Sequence, residues 1–340
     1  MTKIDIISGF LGAGKKKLLS EAFKGQQVVL IENEFGEIGI DGGFLKEAGI
    51  QIREMNSGCI CCSLVGDFGA SLKEVIGTYH PDRIIIEPSG VGKLSDVIRA
   101  VEDVKEDCDL ELNSFTTVAD VTKCKMYLRN FGEFFKNQLE YANTIILSRM
   151  DKASQEKTDK AVELIREINR DASLITTPIT QLDGGKILEV MEKRTQSIEE
   201  MELPHEHGHH HEHEHHHDGE CSCGHDHHHD GECSCGHDHH HEHGHHHADE
   251  VFTSWGRETA RKFERTELEK MLEMLGDGET FGMVLRAKGI LEGTDGAWYY
   301  FDMVPGEAEI RTGEADYTGR LCVIGSGLKE EELEKLFGLA

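Results

Sequence analysis

Ile4-Asp5-Ile6-Ile7-Ser8-Gly9-Phe10-Leu11-Gly12-Ala13-Gly14-Lys15 is the stretch that decides the fold. Ile4 to Ser8 reads as a buried strand, and it runs straight into G-x-x-x-x-G-K, the spacing of a phosphate loop. Glycines there let successive backbone amides point at phosphate oxygens, the following helix adds the positive end of its dipole, and Lys15 can reach the outer phosphates. Gly9, Gly12, Ala13, Gly14, Lys15 and Lys16 are therefore the candidate phosphate-binding positions. One position departs from the pattern. The residue after Lys15 should carry a Ser or Thr hydroxyl for magnesium, and it is Lys16, followed by Lys17. The alternative for this lysine pair is a solvated helix start.

Outward from the loop, apolar strand runs alternate with helical patterns. Val28 to Glu32, Arg83 to Ile86, Phe115 to Ala119 and Thr144 to Leu147 read as strands. Leu64, Phe68, Leu72, Val75 and Ile76 recur at helical spacing, and helices are expected at Leu94 to Val104, Ser154 to Asn169 and Lys186 to Arg194. Alternation of this kind predicts an α/β fold, a parallel sheet of the P-loop NTPase type flanked by helices on both faces. Glu87-Pro88-Ser89-Gly90 ends a strand where phosphate-loop proteins keep an acidic residue near magnesium and a glycine near the terminal phosphate, so Glu87 and Gly90 join Lys15 as catalytic candidates. After Leu147 comes Ser148-Arg149-Met150-Asp151. A carboxylate there can accept both the N1 and N2 protons of guanine, which adenine cannot offer, and Ser148 and Asp151 are the base-binding candidates. Asp151 could equally cap the following helix.

Two stretches point to metal. Asn56-Ser57-Gly58-Cys59-Ile60-Cys61-Cys62-Ser63 places three thiols within four positions, and in a reducing compartment such spacing reads as a ligand set rather than a disulfide framework. One short triple does not easily close a tetrahedron, so a further ligand is needed. The acidic loop Glu32-Asn33-Glu34-Phe35-Gly36-Glu37 is a source, with Glu32 and Glu37 as candidates. The alternatives are three buried thiols acting as small hydrophobes, and a solvated acidic loop. From Pro204 to Ala248 the composition changes: 21 of the 22 histidines fall here, with Asp, Glu and Gly and without Lys or Arg. His215 to Asp226 (HHHDGECSCGHD) recurs unchanged at His227 to Asp238, so Cys221, Cys223, His225, Cys233, Cys235 and His237 are repeated ligand candidates. Nothing in the segment can build a core, and disorder is expected when it is empty of metal. Imidazole and thiolate suit zinc, cobalt, nickel and copper. A passive linker or a purification tag is the alternative.

From Val251 the pattern is globular again, a small α+β domain. A helix is expected at Glu267 to Leu275 and another at Lys329 to Phe337, with strands near Gly282 to Leu291, Trp298 to Val304, Glu309 to Thr312 and Leu321 to Ile324. The expected organisation is 1–196 for the nucleotide domain, 197–250 for the histidine-rich segment and 251–340 for the C-terminal domain. A formal net charge of -28 argues against nucleic acid or an anionic membrane as a general partner and favours cations. Neither a signal peptide nor a membrane span is visible, and a cytoplasmic location is expected.

With these residues assembled, the chain resembles the CobW-type metallochaperone GTPases, relatives of the nickel-inserting GTPases that mature hydrogenase and urease. The resemblance rests on GFLGAGK at Gly9, IENEFGE at Ile31, GCICC at Gly58, the Glu87 to Gly90 motif, Gln138 with Ala142 ahead of the Asp151 loop, and Arg286-Ala287-Lys288-Gly289 with Trp298. It implies GTP binding and hydrolysis, with Cys59, Cys61 and Cys62 as metal thiolates and Glu32 and Glu37 as nearby carboxylates. It also implies zinc, cobalt or nickel as the metal, a client metalloprotein as partner and a homodimer as a form of the protein. Two departures stand out. The usual Asn-Lys-x-Asp is Ser148-Arg149-Met150-Asp151, which weakens guanine preference, and the Thr-Thr pair expected after Lys15 is missing. Only twelve residues separate Lys15 from Val28, roughly four fewer than in the family. Four residues is about one helical turn, so the Leu18, Leu19, Ala22, Phe23 face would stay nearly in phase. Weakened magnesium binding and slow hydrolysis follow, and Lys16→Thr alone is expected to restore little while Leu18 and Leu19 sit displaced along the helix. The leading reading is a GTP-dependent metal chaperone or insertase. Its rival is a metal-storage or buffering protein with a degenerate nucleotide site.

Overall fold

A computed structural model describes residues 1–23, 28–33, 51–55, 65–105, 108–193 and 248–339. The first part runs β1 (Thr2–Ser8), α1 (Lys15–Ala22), β2 (Val28–Asn33), β3 (Gln51–Met55), α2 (Val65–Tyr79), β4 (Arg83–Glu87), α3 (Leu94–Lys105) and β5 (Leu110–Asp120). It continues with α4 (Cys124–Asn130), α5 (Gly132–Glu140), β6 (Thr144–Ser148), α6 (Gln155–Ile168), β7 (Ser173–Ile175) and α7 (Gly184–Met191). Seven strands make one sheet in the order β3-β2-β4-β1-β5-β6-β7, and every neighbouring pair is parallel.

Burial on both faces explains why these strands read as unbroken apolar runs. In β4, Ile84 and Ile86 face one core while Ile85 faces the other. Val29 and Ile31 of β2 likewise oppose Val28 and Leu30. The second of these cores also takes Leu18, Leu19, Ala22 and Phe23, with Ile187 and Met191 of α7. The apolar face of the short helix α1 is thus fully seated with only eight residues. Of the helical stripe expected after the cysteines, Leu72 and Val75 are buried and Ile76 packs beside them.

Where the sequence reading fell short, the cause is visible. β5 begins five residues before Phe115 because Leu110 to Leu112 pair with Thr2 to Ile4. The edge strands β3 and β7 are short, so neither carries enough alternation to announce itself. Asp151 does not cap the following helix. Ser154 does, its hydroxyl accepting from the Lys157 amide at 3.3 Å, while Asp151 lies exposed in a short turn at Met150–Lys152.

The C-terminal part adds α8 (Ala248–Val251), β8 (Thr253–Thr259), α9 (Arg265–Met274), α10 (Gly278–Phe281), β9 (Met283–Glu292), β10 (Trp298–Val304), β11 (Glu307–Gly313), β12 (Gly319–Ser326) and α11 (Glu330–Phe337). Five strands form an antiparallel sheet in the order β11-β10-β9-β12-β8. Tyr299, Phe301 and Met303 pack with Leu268, Leu272, Leu333 and Phe337. Within the aromatic run Trp298-Tyr299-Tyr300-Phe301, the alternate members Tyr299 and Phe301 belong to that core. On the other face of the sheet, Leu285, Cys322 and Ile324 join the core that contains Phe10 and Phe252. The C-terminal sheet is therefore covered by its own helices on one side and by the nucleotide-loop domain on the other. No described helix is long and apolar enough to cross a membrane.

Candidate functional site

β1 delivers Ser8 to the carboxyl edge of the sheet, and the loop Gly9 to Gly14 turns the chain into α1. Gly14 is the N-cap of α1 in a left-handed conformation. Phe10 anchors the loop from beneath, its ring 4.3 Å from Tyr127 and 5.6 Å from Phe131, centre to centre. The Tyr127 hydroxyl donates to the Leu11 carbonyl at 3.4 Å, and burial raises the pKa of that phenol. An apolar clasp of this kind fixes the backbone whose amides are the expected anion cradle.

Lys15 is nearly buried. Its Nζ donates to the Gly9 carbonyl at 2.8 Å and lies 3.5 Å from Oε1 of Glu87. Burial lowers the Lys15 pKa from its ordinary value, Glu87 acts against that, and the charge of Arg286 adds to the lowering. Glu87 and Glu32 are in register on adjacent parallel strands, so two carboxylates stand side by side at the sheet edge next to Lys15. Oε2 of Glu87 is buried without a hydrogen-bond partner among the described residues. That oxygen fits the magnesium expected here. Lys16 does not, because an ammonium carries three donors and no acceptor.

Gly90 packs directly on the phosphate loop: a Cβ at that position would lie 2.8 Å from Cδ2 of Leu11 and 3.0 Å from its backbone nitrogen. The loop that holds Gly90 is clamped by a residue whose positional role the sequence reading did not assign. Gln138, fully buried on α5, donates through Nε2 to the carbonyls of Gly92 at 2.8 Å and Gly90 at 3.3 Å. Its neighbour Asn137 accepts from the Ser95 amide at 3.2 Å and donates to the Ser95 hydroxyl at 2.9 Å, holding the start of α3. The signal was a pair of amides, Asn137 and Gln138, beside Phe134, Phe135 and Leu139. Gln138→Leu, close in volume but without donors, is expected to weaken discrimination between nucleoside tri- and diphosphate by about tenfold, as buried carbonyls lose their partner. Equilibrium binding of GTP and GDP checks this, and an unchanged ratio would remove the clamp.

The Ser148 to Asp151 loop stands on the other side of the phosphate loop. A Cβ on Gly14 would lie 4.0 Å from Cβ of Ser148, and Arg149 Nη2 donates to the Gly12 carbonyl at 3.4 Å. Asp120, at the end of β5, accepts from the Thr122 amide at 2.8 Å and hydroxyl at 2.6 Å. Burial lowers the pKa of neighbouring Lys123, which Asp120 opposes from 4.0 Å. Gly9, Gly12, Ala13, Gly14, Lys15, Lys16, Glu87, Gly90, Ser148 and Asp151 are thus brought to one sheet edge, with Glu32 adjoining. Cys59, Cys61, Cys62 and Glu37, and the tail candidates Cys221, Cys223, His225, Cys233, Cys235 and His237, lie outside the described residues. Among the described residues there is no cluster of three or more metal-ligating side chains. β3 runs parallel to β2 with Met55 beside Asn33, so the strand that leads toward Cys59 ends at the same edge as Glu32.

Residues 3–176 match the family described as CobW/HypB/UreG, nucleotide-binding domain, and residues 252–339 match the cobalamin synthesis protein CobW C-terminal domain. The zinc chaperone YeiR of Escherichia coli (strain K12) is 27% identical over 188 residues, 54% of this chain and 57% of that protein. Somewhat more than half the length of that relative is therefore matched. The zinc-regulated GTPase metalloprotein activator 1 of Schizosaccharomyces pombe is 26% identical over 320 residues, 88% of this chain and 74% of that protein. Among solved structures, the Zn(II)-bound YjiA GTPase from E. coli aligns over 100% of this chain and 99% of that one at 22% identity, with a TM-score of 0.44.

Proposed function

This chain belongs to the CobW/HypB/UreG family, and on that premise we propose that it is a GTP-dependent metallochaperone that takes up a transition metal and delivers it to a client metalloprotein. One observation carries the nucleotide half of the reading: Lys15 is buried between the Gly9 carbonyl and Glu87, with Gly90 packed on the same loop. In this reading the triphosphate lies along Gly12 to Lys15, and Ser148 and Asp151 meet the base. Magnesium is held through Glu87, weakly for want of a hydroxyl at position 16. Cys59, Cys61 and Cys62 hold the metal with Glu32 or Glu37, and zinc is the first candidate because the relatives' names specify it. The histidine-rich segment, taken as 197–250 between domains 1–196 and 251–340, raises the local metal concentration near the cysteines. A cytoplasmic setting, where thiols stay reduced, fits the ligand role given to the three cysteines. Nucleotide state and metal affinity bias each other, because a factor by which GTP tightens metal must equal that by which metal tightens GTP.

The second reading, a metal buffer with a relic nucleotide site, is favoured by Lys16 and Lys17 in the first turn of α1. Full-length protein purified without affinity metal separates the two. Metal analysis, together with GTP binding measured with and without zinc, is expected to show a tight thiolate site coupled to nucleotide. Cys61→Ser should abolish the first tight equivalent and leave the weaker imidazole sites. Abundant metal with no coupling to GTP would reject the chaperone in favour of the buffer.

A further inference from the structure

One hairpin tip of the C-terminal sheet packs on the phosphate loop. β10 ends at Val304 and β11 begins at Glu307, with Val304 paired to Glu307 across Pro305-Gly306. Pro305 restricts its own φ, and Gly306 takes φ 83, the positive value a tight turn of this kind demands at that corner. The spacing of Val304 and Glu307 is therefore set by the backbone. Val304 sits on the phosphate loop, and Gly12, at φ 71, must be glycine there: a Cβ would come within 2.5 Å of Val304 Cγ1. Glu307 accepts from Lys152 Nζ at 2.7 Å and is ion-paired with Arg149. Arg149 in turn donates to the Gly12 carbonyl. One carboxylate thus grips both cations that flank Asp151, and one of those cations links back to the phosphate loop.

Arg149 has φ 60, a left-handed conformation that non-glycine residues seldom adopt without support. Its side chain supplies that support by bridging Gly12 and Glu307. Burial would raise the Glu307 carboxyl, but hydrogen bonds from Lys152 and Arg149 outweigh it and hold the group below the usual carboxylate range. Both cations therefore face an ionised partner at neutral pH.

We propose that Glu307 is a positioning residue for base recognition, through which the C-terminal domain sets how strongly and how selectively the Ser148 to Asp151 loop takes a guanine base. The inference rests on the guanine-nucleotide reading of the site. Its consequence is a coupling that runs both ways: a guanine base that orders Arg149 to Lys152 tightens the docking of the hairpin by the same factor by which the hairpin tightens the base. The C-terminal domain then senses the occupied site through its edge hairpin.

The test compares the full-length protein with its Glu307→Ala, Glu307→Gln and Glu307→Asp variants. Affinities for GTP, ITP, ATP and tripolyphosphate are measured alongside hydrogen exchange of residues 148–153 without nucleotide. ITP lacks the N2 amine and tripolyphosphate lacks the base. Glu307→Ala and Glu307→Gln are expected to weaken GTP by about three- to tenfold, the scale of a partly exposed charge network. ATP and tripolyphosphate should be unchanged, so the GTP-to-ATP ratio falls. Exchange of the loop should accelerate, and Glu307→Asp should recover part of both effects. A Glu307→Ala protein with the parent's GTP affinity and base selectivity, or with unaltered loop exchange, overturns the inference alone. A parent protein that does not prefer GTP to ATP overturns the guanine reading and this inference with it.

Discussion

Lys15→Met is expected to weaken GTP and GDP by about 100-fold, the loss that follows when charge-assisted hydrogen bonds to phosphate disappear. Methionine keeps most of the aliphatic stem, so Phe10, Leu11 and the strands beneath the loop need not move. What changes is electrostatic. The lysine lies 3.5 Å from Glu87 and donates to the Gly9 carbonyl, so its removal leaves a nearly buried carboxylate without its counter-charge. That carboxylate then repels the phosphates that the ammonium had attracted. Glu87→Gln in the Lys15→Met background should therefore recover part of the lost affinity, a recovery that a merely misfolded loop would not show. Calorimetric titration of the single and double variants checks both statements. A Lys15→Met protein within threefold of the parent would mean that nucleotide does not lie along this loop.

Lys16→Thr carries the second large effect. The parent is expected to bind GTP weakly, to ignore magnesium and to hydrolyse slowly, because no oxygen is offered at position 16 and the first turn of α1 carries Lys15, Lys16 and Lys17 with no acidic residue. Threonine supplies the hydroxyl and removes one positive charge from the helix start. Magnesium at millimolar concentration is then expected to tighten GTP by about tenfold or more, and hydrolysis to become magnesium-dependent. From the sequence, this single exchange was expected to restore little because Leu18 and Leu19 would be displaced along a shortened helix. In the structure Leu18 and Leu19 are both at 0% exposure with Ala22 and Phe23 buried beside them, which favours a lost oxygen over lost packing as the defect. The eight-residue helix is seated in its core, and what the loop lacks is the oxygen. GTP binding and turnover with magnesium and with a chelator decide the matter. Indifference of the Lys16→Thr protein to magnesium would place the defect elsewhere in the site.

The sequence by itself determined the sheet and the loop. Ile4 to Ser8 running into Gly9 to Lys15 is a local pattern, and the apolar runs Val28 to Ile31 and Ile84 to Ile86 are continuous because both faces of each strand are buried. Local chemistry of this kind can be read without knowing what lies across the fold. The placing of Glu87 and of the Ser148 to Asp151 loop at strand ends follows from the same logic.

Only the tertiary structure decided how those parts are held. Gln138 clamps Gly90 and Gly92 from a helix 46 to 48 residues away in sequence, and Glu307 grips Arg149 and Lys152 across 158 and 155 residues. Ser154 rather than Asp151 caps α6, a choice between two helix-starting residues that spacing left open and geometry closed. β3 and β7 are recognisable only through their partners, since three to five residues carry too little periodicity. The physical reason is the same in each case. A periodic pattern reports which side of an element faces a core, whereas a hydrogen bond or ion pair between distant segments depends on distances that only the packed chain defines.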